Sequence, residues 1–192
     1  MKKTIVKNVI LTIAITLAEI FLGIFLIAFI TPSLIANATF SLEWKNTCVY
    51  FSQKQYEKYE RIEDLSLLVE RSFWAEDNEV SLTYCPKLLN DESFDLLLLQ
   101  KDENYKEYVA CGYVDALYNQ NNVQKAIATA FKYLNVEKYS LPYNPVRVLC
   151  SLANTAQDSQ TLSKILEELK LVENKTEEIN KDIQILENIL QN

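Results

Sequence analysis

The chain has 192 residues, with 19 Lys and Arg against 26 Asp and Glu, no His, and a formal net charge of −7 at pH 7. An acidic surface repels phosphate backbones, so no nucleic-acid partner is expected. Without His, the chain cannot form Ser-His-Asp or Cys-His catalytic arrangements or the usual His-containing zinc and iron sites. Only 2 Gly and 4 Pro provide turns, too few for a sandwich or barrel, and the chain is therefore predicted to be all-α.

The same composition predicts a protein that is not an enzyme, with no catalytic residue, no cofactor and no metal site. A phosphate-binding loop needs more glycines than Gly23 and Gly112 provide. Acid–base chemistry by carboxylates or by a Ser–Lys pair stays open, which leaves an enzyme of unrecognised type as an alternative. The acidic pairs Glu76-Asp77 and Glu177-Glu178 are interpreted as solvated helix ends.

The N-terminal segment predicts where the protein is located. Residues 1–8 form a leader that contains Lys2, Lys3 and Lys7, and residues 9–30 are apolar. At 1.5 Å per residue, an apolar helix of this length spans about 30 Å, the hydrocarbon thickness of a bilayer. Lysines precede this stretch and none follows until Lys45, which favours a cytoplasmic N-terminus. The sequence therefore predicts a single-pass signal anchor in the cell membrane, with residues 31–192 outside the cytoplasm.

One acidic residue, Glu19, interrupts the apolar stretch near its middle. An acidic side chain at mid-bilayer costs about 2.5–3.5 kcal/mol, whereas each Leu, Ile, Phe or Val contributes about 0.3–0.6 kcal/mol to insertion, so the fifteen such residues outweigh it. Glu19 has two interpretations. It contacts a cation or a donor on a partner helix within the membrane, or it is protonated and simply tolerated.

The fate of the leader has a second interpretation. Ala36-Asn37-Ala38 has the small-x-small form of a signal-peptidase site, so the segment could be removed. An uncleaved anchor is favoured because the apolar stretch is about twice as long as a usual signal core.

A third interpretation comes from a resemblance. Thr16-Leu17-Ala18-Glu19, followed by Pro32-Ser33-Leu34-Ile35-Ala36-Asn37, resembles the N-terminal helix of type IV pilin-like and pseudopilin proteins. In that family a Glu five residues after the processing point pairs with the N-terminal amine of a neighbouring subunit. The resemblance implies processing between Ala14 and Ile15 and makes Glu19 the pairing acid. It implies a minor subunit of a filament or secretion system.

Residues 31–153 are predicted to form a helical bundle or a short helical-repeat domain. Helices are expected over Leu42–Tyr59 and over Asp64–Trp74, the second capped by Asp64. A third helix carries Val80, Tyr84 and Leu88 after a break at Asp77-Asn78, and Cys85-Pro86 is expected to bend or end it. Asn90-Asp91 breaks the chain again before residues 94–99.

The clearest helix pair occupies residues 105–134, with a polar turn at Asn119–Asn122. Small residues are expected to let its two helices approach closely: Gly112, Ala116, Ala126 and Ala130. This pattern resembles a single tetratricopeptide unit, a helix–turn–helix of roughly 34 residues. Residues 66–94 are a candidate for a second, diverged copy, and a non-repetitive helical bundle is the alternative. Leu141–Pro145 is predicted to be a linker or rigid loop, followed by a short apolar element over Val146–Ala153.

Residues 154–192 are predicted to form a long amphipathic, coiled-coil-like helix that binds a protein partner or packs on its own bundle. Its heptad positions alternate three and four apart over about four heptads, and only Thr176 among them is polar. The apolar residues are Leu162, Ile165, Leu169, Val172, Ile179, Ile183, Leu186 and Leu190. In a parallel homodimer Glu168 would face Glu173, and Asp182 would face Glu187. Acid against acid disfavours that dimer.

Four cysteines follow the apolar stretch: Cys48, Cys85, Cys111 and Cys150. Their wide spacing argues against a zinc knuckle or a redox pair. Outside the cytoplasm they are candidates for two disulfides, and four buried thiols are the alternative.

The main functional prediction is a non-catalytic, membrane-anchored binding or scaffold subunit of a cell-envelope complex. The alternatives are the pilin-like subunit and the unrecognised enzyme. No cofactor is expected, and the expected partners are the membrane and one or more proteins.

Overall fold

A computed structural model describes residues 2–140 and 143–191, with side chains from residue 10 onwards. Within these ranges the chain is helical and contains no strand, which confirms the all-α prediction. Met1 of the leader and Leu141-Pro142 of the predicted linker lie outside the described residues. The helices are α1 (Lys2–Ile30), α2 (Pro32–Ser41), α3 (Lys45–Tyr59), α4 (Ile62–Ala75), α5 (Asn78–Leu89), α6 (Phe94–Leu98), α7 (Tyr105–Asn119), α8 (Val123–Lys132), α9 (Pro145–Thr155), α10 (Ser159–Leu171) and α11 (Glu177–Gln191).

The chain divides into two compact units, one up to Arg71 and the other from Ser72, and the boundary falls within α4. Their charges differ. The first unit has eight Lys and Arg against seven Asp and Glu, and the second has eleven against nineteen. The excess of acidic residues therefore belongs to the second unit.

From Ile10 to Ile30, helix α1 has apolar side chains on all sides, interrupted by Glu19. Its large side chains between Ile10 and Ile30 are 45–73% exposed, so the chain does not cover them. By length and composition this segment could cross a membrane, as predicted, although a signal sequence has the same properties.

The same turn joins four pairs of helices in the described residues. A residue with positive φ ends the first helix of each pair: Glu43, Glu76, Asn121 and Gln157. The N–H of the next residue bonds a carbonyl five residues earlier at 2.8–2.9 Å. That next residue is also the N-cap of the second helix. These are Schellman turns without glycine, and they form the pairs α2–α3, α4–α5, α7–α8 and α9–α10.

In the first unit the structure corrects two predicted boundaries. The helix predicted from Leu42 begins at Lys45, because α2 precedes it and the turn at Glu43 separates the two. Asp64 is not an N-cap. Helix α4 begins at Ile62, and Asp64 lies in its first turn, where it accepts a hydrogen bond from Arg61 Nε at 2.7 Å.

Proline does not end the third predicted helix. Pro86 lies inside α5, which continues to Leu89. The missing N–H falls near the helix end, where only three residues follow, and Cys85 and Leu88 on either side are fully buried. Asn90 Nδ2 also donates to the Pro86 carbonyl at 2.6 Å, which satisfies one terminal acceptor.

In the second unit α7 packs against α5, α8 and α9. Ala116, Ala126 and Ala130 are buried between neighbouring helices, in agreement with the predicted pair. Gly112 has a different role from the one predicted. A Cβ at this position would overlap the ring of Phe73, so Gly112 admits a side chain from α4 rather than the backbone of α8.

The prediction of a single long C-terminal helix is wrong. Residues 172–176 separate α10 from α11, because Val172 is extended and Asn174 has a φ of 51°. Lys175 Nζ donates to the Val172 carbonyl at 2.6 Å, and Lys170 pairs with Glu187 across the two helices at 2.6 Å. The apolar residues of the heptad pattern therefore pack largely within the protein's own helices. Five of its apolar residues are buried, namely Leu162, Ile165, Leu169, Ile179 and Leu186, while Val172, Ile183 and Leu190 are half-buried.

The turn at Gln157 provides a test of the assigned Schellman turns. Gln157→Gly removes the cost of a side chain at positive φ and should raise the free energy of unfolding by about 0.5–1 kcal/mol. Ala156→Gly is the matched control, because Ala156 has a φ of −79° and its replacement should destabilise by a similar amount. Urea unfolding followed by circular dichroism measures both. A lower unfolding midpoint for Gln157→Gly would contradict the assigned turn.

Candidate functional site

The end of α1 is held by side chains from α3. Pro32 has no N–H, so the helix ladder stops here and leaves terminal carbonyls without helical donors. Lys58 Nζ donates to the carbonyls of Phe29 at 3.1 Å and Ile30 at 2.7 Å, and the Tyr59 hydroxyl donates to Ile30 at 3.2 Å. A cation at a helix C-terminus also interacts favourably with the helix dipole. Lys58 therefore caps the apolar helix.

The start of α2 is capped from a distance. Thr31 makes no side-chain capping bond, and the N–H of Ser33 instead donates to Gln55 Oε1 at 3.1 Å. Gln55 Nε2 lies 3.4 Å from Asp64 Oδ1, and Arg61 holds the other oxygen of this carboxylate. One buried amide thus joins α2, α3 and α4 immediately after the apolar helix ends.

A buried arginine completes the first unit. Arg71 is 5% exposed, donates to Ser52 Oγ at 2.8 Å and to Asn37 Oδ1, and lies over the Phe40 ring at 5.7 Å. Burial lowers the pKa of its guanidinium. Asn37 is the central residue of the small-x-small triplet, and its neighbour Ala36 is fully buried. The triplet is therefore part of the folded unit.

A groove lies beside this junction, and we name it the junction groove. Its volume is about 490 Å³. It is lined by Phe25, Ala28, Phe29 and Pro32 from the end of α1 and the start of α2, and by Tyr50, Phe51, Lys54, Glu57 and Lys58 from α3. Lys54 pairs with Glu57 at 2.7 Å at the polar edge. The groove thus combines an apolar wall with two ammonium groups and one carboxylate.

A second, smaller groove lies between α9 and α11, and we name it the C-terminal groove. Its volume is about 200 Å³. It is lined by Arg147, Cys150, Ser151, Asn154, Asp182, Ile185, Leu186 and Ile189. Asp182 Oδ2 accepts a hydrogen bond from the buried Tyr139 hydroxyl at 3.0 Å and lies 3.4 Å from Arg147 Nε. Ile185 and Ile189 remain 45% and 39% exposed.

The four cysteines are all free in the structure. Cys48 is buried in the first unit, and the other three lie on α5, α7 and α9 of the second. Burial raises the pKa of Cys85. Burial, with a smaller contribution from Glu107, raises the pKa of Cys111 to about 12, and burial beside Asp182 raises the pKa of Cys150 to about 12. These three thiols are therefore protonated at neutral pH and poorly suited to act as nucleophiles.

The remaining predicted residues are dispersed. Glu19 is exposed on α1. The described residues contain no group of three or more Cys, Asp or Glu arranged to hold a metal ion. The sequence interpretation missed Lys54, Lys58, Gln55 and Arg71. Only the spacing of the two lysines, one helical turn apart, is a sequence signal for a shared face.

Comparison with protein-family models, with curated proteins and with solved structures gives no match.

The raised thiol pKa values predict slow alkylation. Near neutral pH, iodoacetamide should modify Cys150 in the folded protein at least about a hundredfold more slowly than a free cysteine. Ser151→Cys is the matched control, because this neighbour is exposed and should react at the ordinary rate. Mass spectrometry of the alkylated chain measures both, and counting the thiols labelled in urea without reductant tests the disulfide prediction. Rapid labelling of Cys150 in the native protein would contradict its assigned environment.

Proposed function

We propose that this protein is a non-catalytic, membrane-anchored binding or scaffold subunit of a cell-envelope complex. In this proposal α1 spans the membrane with its N-terminus in the cytoplasm, and both helical units follow on the outer side. The observation that carries the proposal is the uncovered apolar surface of α1, which meets a folded helix pair without a spacer. An apolar surface of this extent needs lipid or another protein to cover it.

The use of residues 32–41 in the fold supports a retained anchor. Cleavage after Ala38 would cut α2, expose the packing surface of α3 and separate Asn37 from the chain that carries Arg71. The first unit also exposes several apolar and aromatic side chains after α1, as proteins do at a membrane surface: Leu34, Phe40, Leu42, Trp44, Tyr50 and Tyr59. An anchor that stays attached accounts for both features.

The second unit supports the binding part of the proposal. Its paired helices share one turn type, as helical-repeat proteins do, and arrays of this kind use their surfaces to bind other proteins. The C-terminal groove leaves Ile185 and Ile189 partly exposed beside the Arg147–Asp182 pair. Because this unit is strongly acidic, the partner that fits it is an amphipathic helix with basic flanks.

The pilin-like alternative rests on the resemblance of residues 16–19 and 32–37, and the exposed carboxylate of Glu19 within the apolar helix supports it. Such a group fits a neighbouring subunit's amine as well as it fits a cation on a partner helix. The two proposals differ in the mature N-terminus, which the alternative places at Ile15.

Site-specific photocrosslinking in intact membranes tests the binding proposal. A photoreactive residue at Ile185 should give one discrete protein adduct, and Ile189→Glu should reduce it at least about tenfold by placing a charge in the apolar contact. The matched control is the same residue at Asn180, which is exposed on a different side of α11. Equal adducts at both positions, or none at Ile185, would contradict the C-terminal groove as the docking surface.

A further inference from the structure

The junction groove lies at the level where lipid tails meet headgroups, if α1 spans the membrane as proposed above. Ile10–Ile30 has the length of the hydrocarbon layer, at about 1.5 Å per residue. Phe25, Ala28 and Phe29 line the groove and lie in the last two turns of this segment. Water would have to cover an apolar wall here, whereas the surrounding leaflet supplies acyl chains at the same depth.

The polar edge of the groove has the charge that a lipid phosphate requires. Lys54 and Lys58 lie one turn apart on α3, and Glu57 is the one carboxylate among the lining residues. Two of the three N–H donors of Lys58 serve the carbonyls of Phe29 and Ile30, which leaves the third to face a further acceptor. Two ammonium groups against one carboxylate give a net charge of +1, which complements the single negative charge of a phosphodiester.

Aromatic side chains lie beside both of these cations. Lys54 Nζ lies 5.7 Å from the centre of the Tyr50 ring, and Lys58 Nζ lies 5.9 Å from that of Phe29. Each ammonium group therefore lies within cation–π distance of an aromatic ring that lines the groove.

We propose that the junction groove binds one glycerophospholipid of the leaflet into which α1 emerges, with its phosphate at Lys54 and Lys58 and one acyl chain along Phe25, Ala28 and Phe29. The proposal depends on the membrane insertion of α1. It adds a specific lipid at the junction, which would fix the first unit against the membrane surface.

Native mass spectrometry of the full chain, released from detergent micelles, tests this site. Phosphatidylglycerol should be retained at one molecule per chain and bind at least about tenfold more tightly than diacylglycerol with the same acyl chains, because only the former carries the phosphate. Inorganic phosphate should not compete, since it lacks the acyl chain. Equal retention of the two lipids, or competition by phosphate alone, would overturn the proposal.

Three variants locate the site. Lys54→Gln, which leaves the cap on α1 intact, should reduce phosphatidylglycerol binding several-fold, and adding Lys58→Gln should reduce it to the level of diacylglycerol. Ala28→Trp should block both lipids by filling the apolar wall. Lys45→Gln, at the other end of α3, is the matched control and should bind as the unmodified chain does. Circular dichroism checks that each variant is folded.

The outcomes separate this proposal from the anchoring proposal. A chain that stays in membranes after alkaline carbonate washing but retains no phospholipid would refute the lipid site alone. A chain that the wash releases would refute the anchor, and the lipid site with it.

Discussion

The contact between Lys58 and the last carbonyls of α1 connects the apolar helix to the folded chain. Pro32 removes the donor that would have continued α1, so the helix needs donors from elsewhere at this point. Lys58 and Tyr59 provide these donors. At the start of α2, Gln55 provides an acceptor for a backbone N–H that has no helical partner. Since all three residues belong to α3, one helix sets the direction in which the chain leaves the apolar segment.

Elsewhere in the fold, one type of turn repeatedly satisfies the terminal carbonyls of helices. At four junctions between helices, a non-glycine residue at positive φ is followed directly by the N-cap of the next helix. This turn satisfies terminal carbonyls and connects one helix to the next within three residues, without a glycine. Charge is distributed unevenly between the two units, because the first is nearly neutral and the second is strongly acidic. These charges agree with the membrane contact proposed for the first unit and with the basic partner proposed for the second.

Local patterns predicted the parts of the fold that depend on neighbouring residues. The pair α7–α8 and the break between α4 and α5 follow from apolar periodicity and capping residues. That break lies at Glu76-Asp77, one residue before the predicted Asp77-Asn78. Contacts over longer distances were not predictable in this way. The cap on α2 comes from Gln55, 22 residues from Ser33, and Arg71 donates to Asn37, 34 residues away. The C-terminal heptads continue across a break that depends on Asn174 at positive φ, so periodicity alone predicted one helix where there are two.

The mass of the membrane-bound chain tests the central claim, that α1 stays attached as a membrane anchor, most directly. Membranes that contain the protein are washed with alkaline carbonate, and the chain that remains in the pellet is measured by intact-mass spectrometry. The account predicts the complete chain, with or without Met1, in the pellet. A chain in the supernatant, one that begins after Ala38, or one that begins at a methylated Ile15 would contradict it.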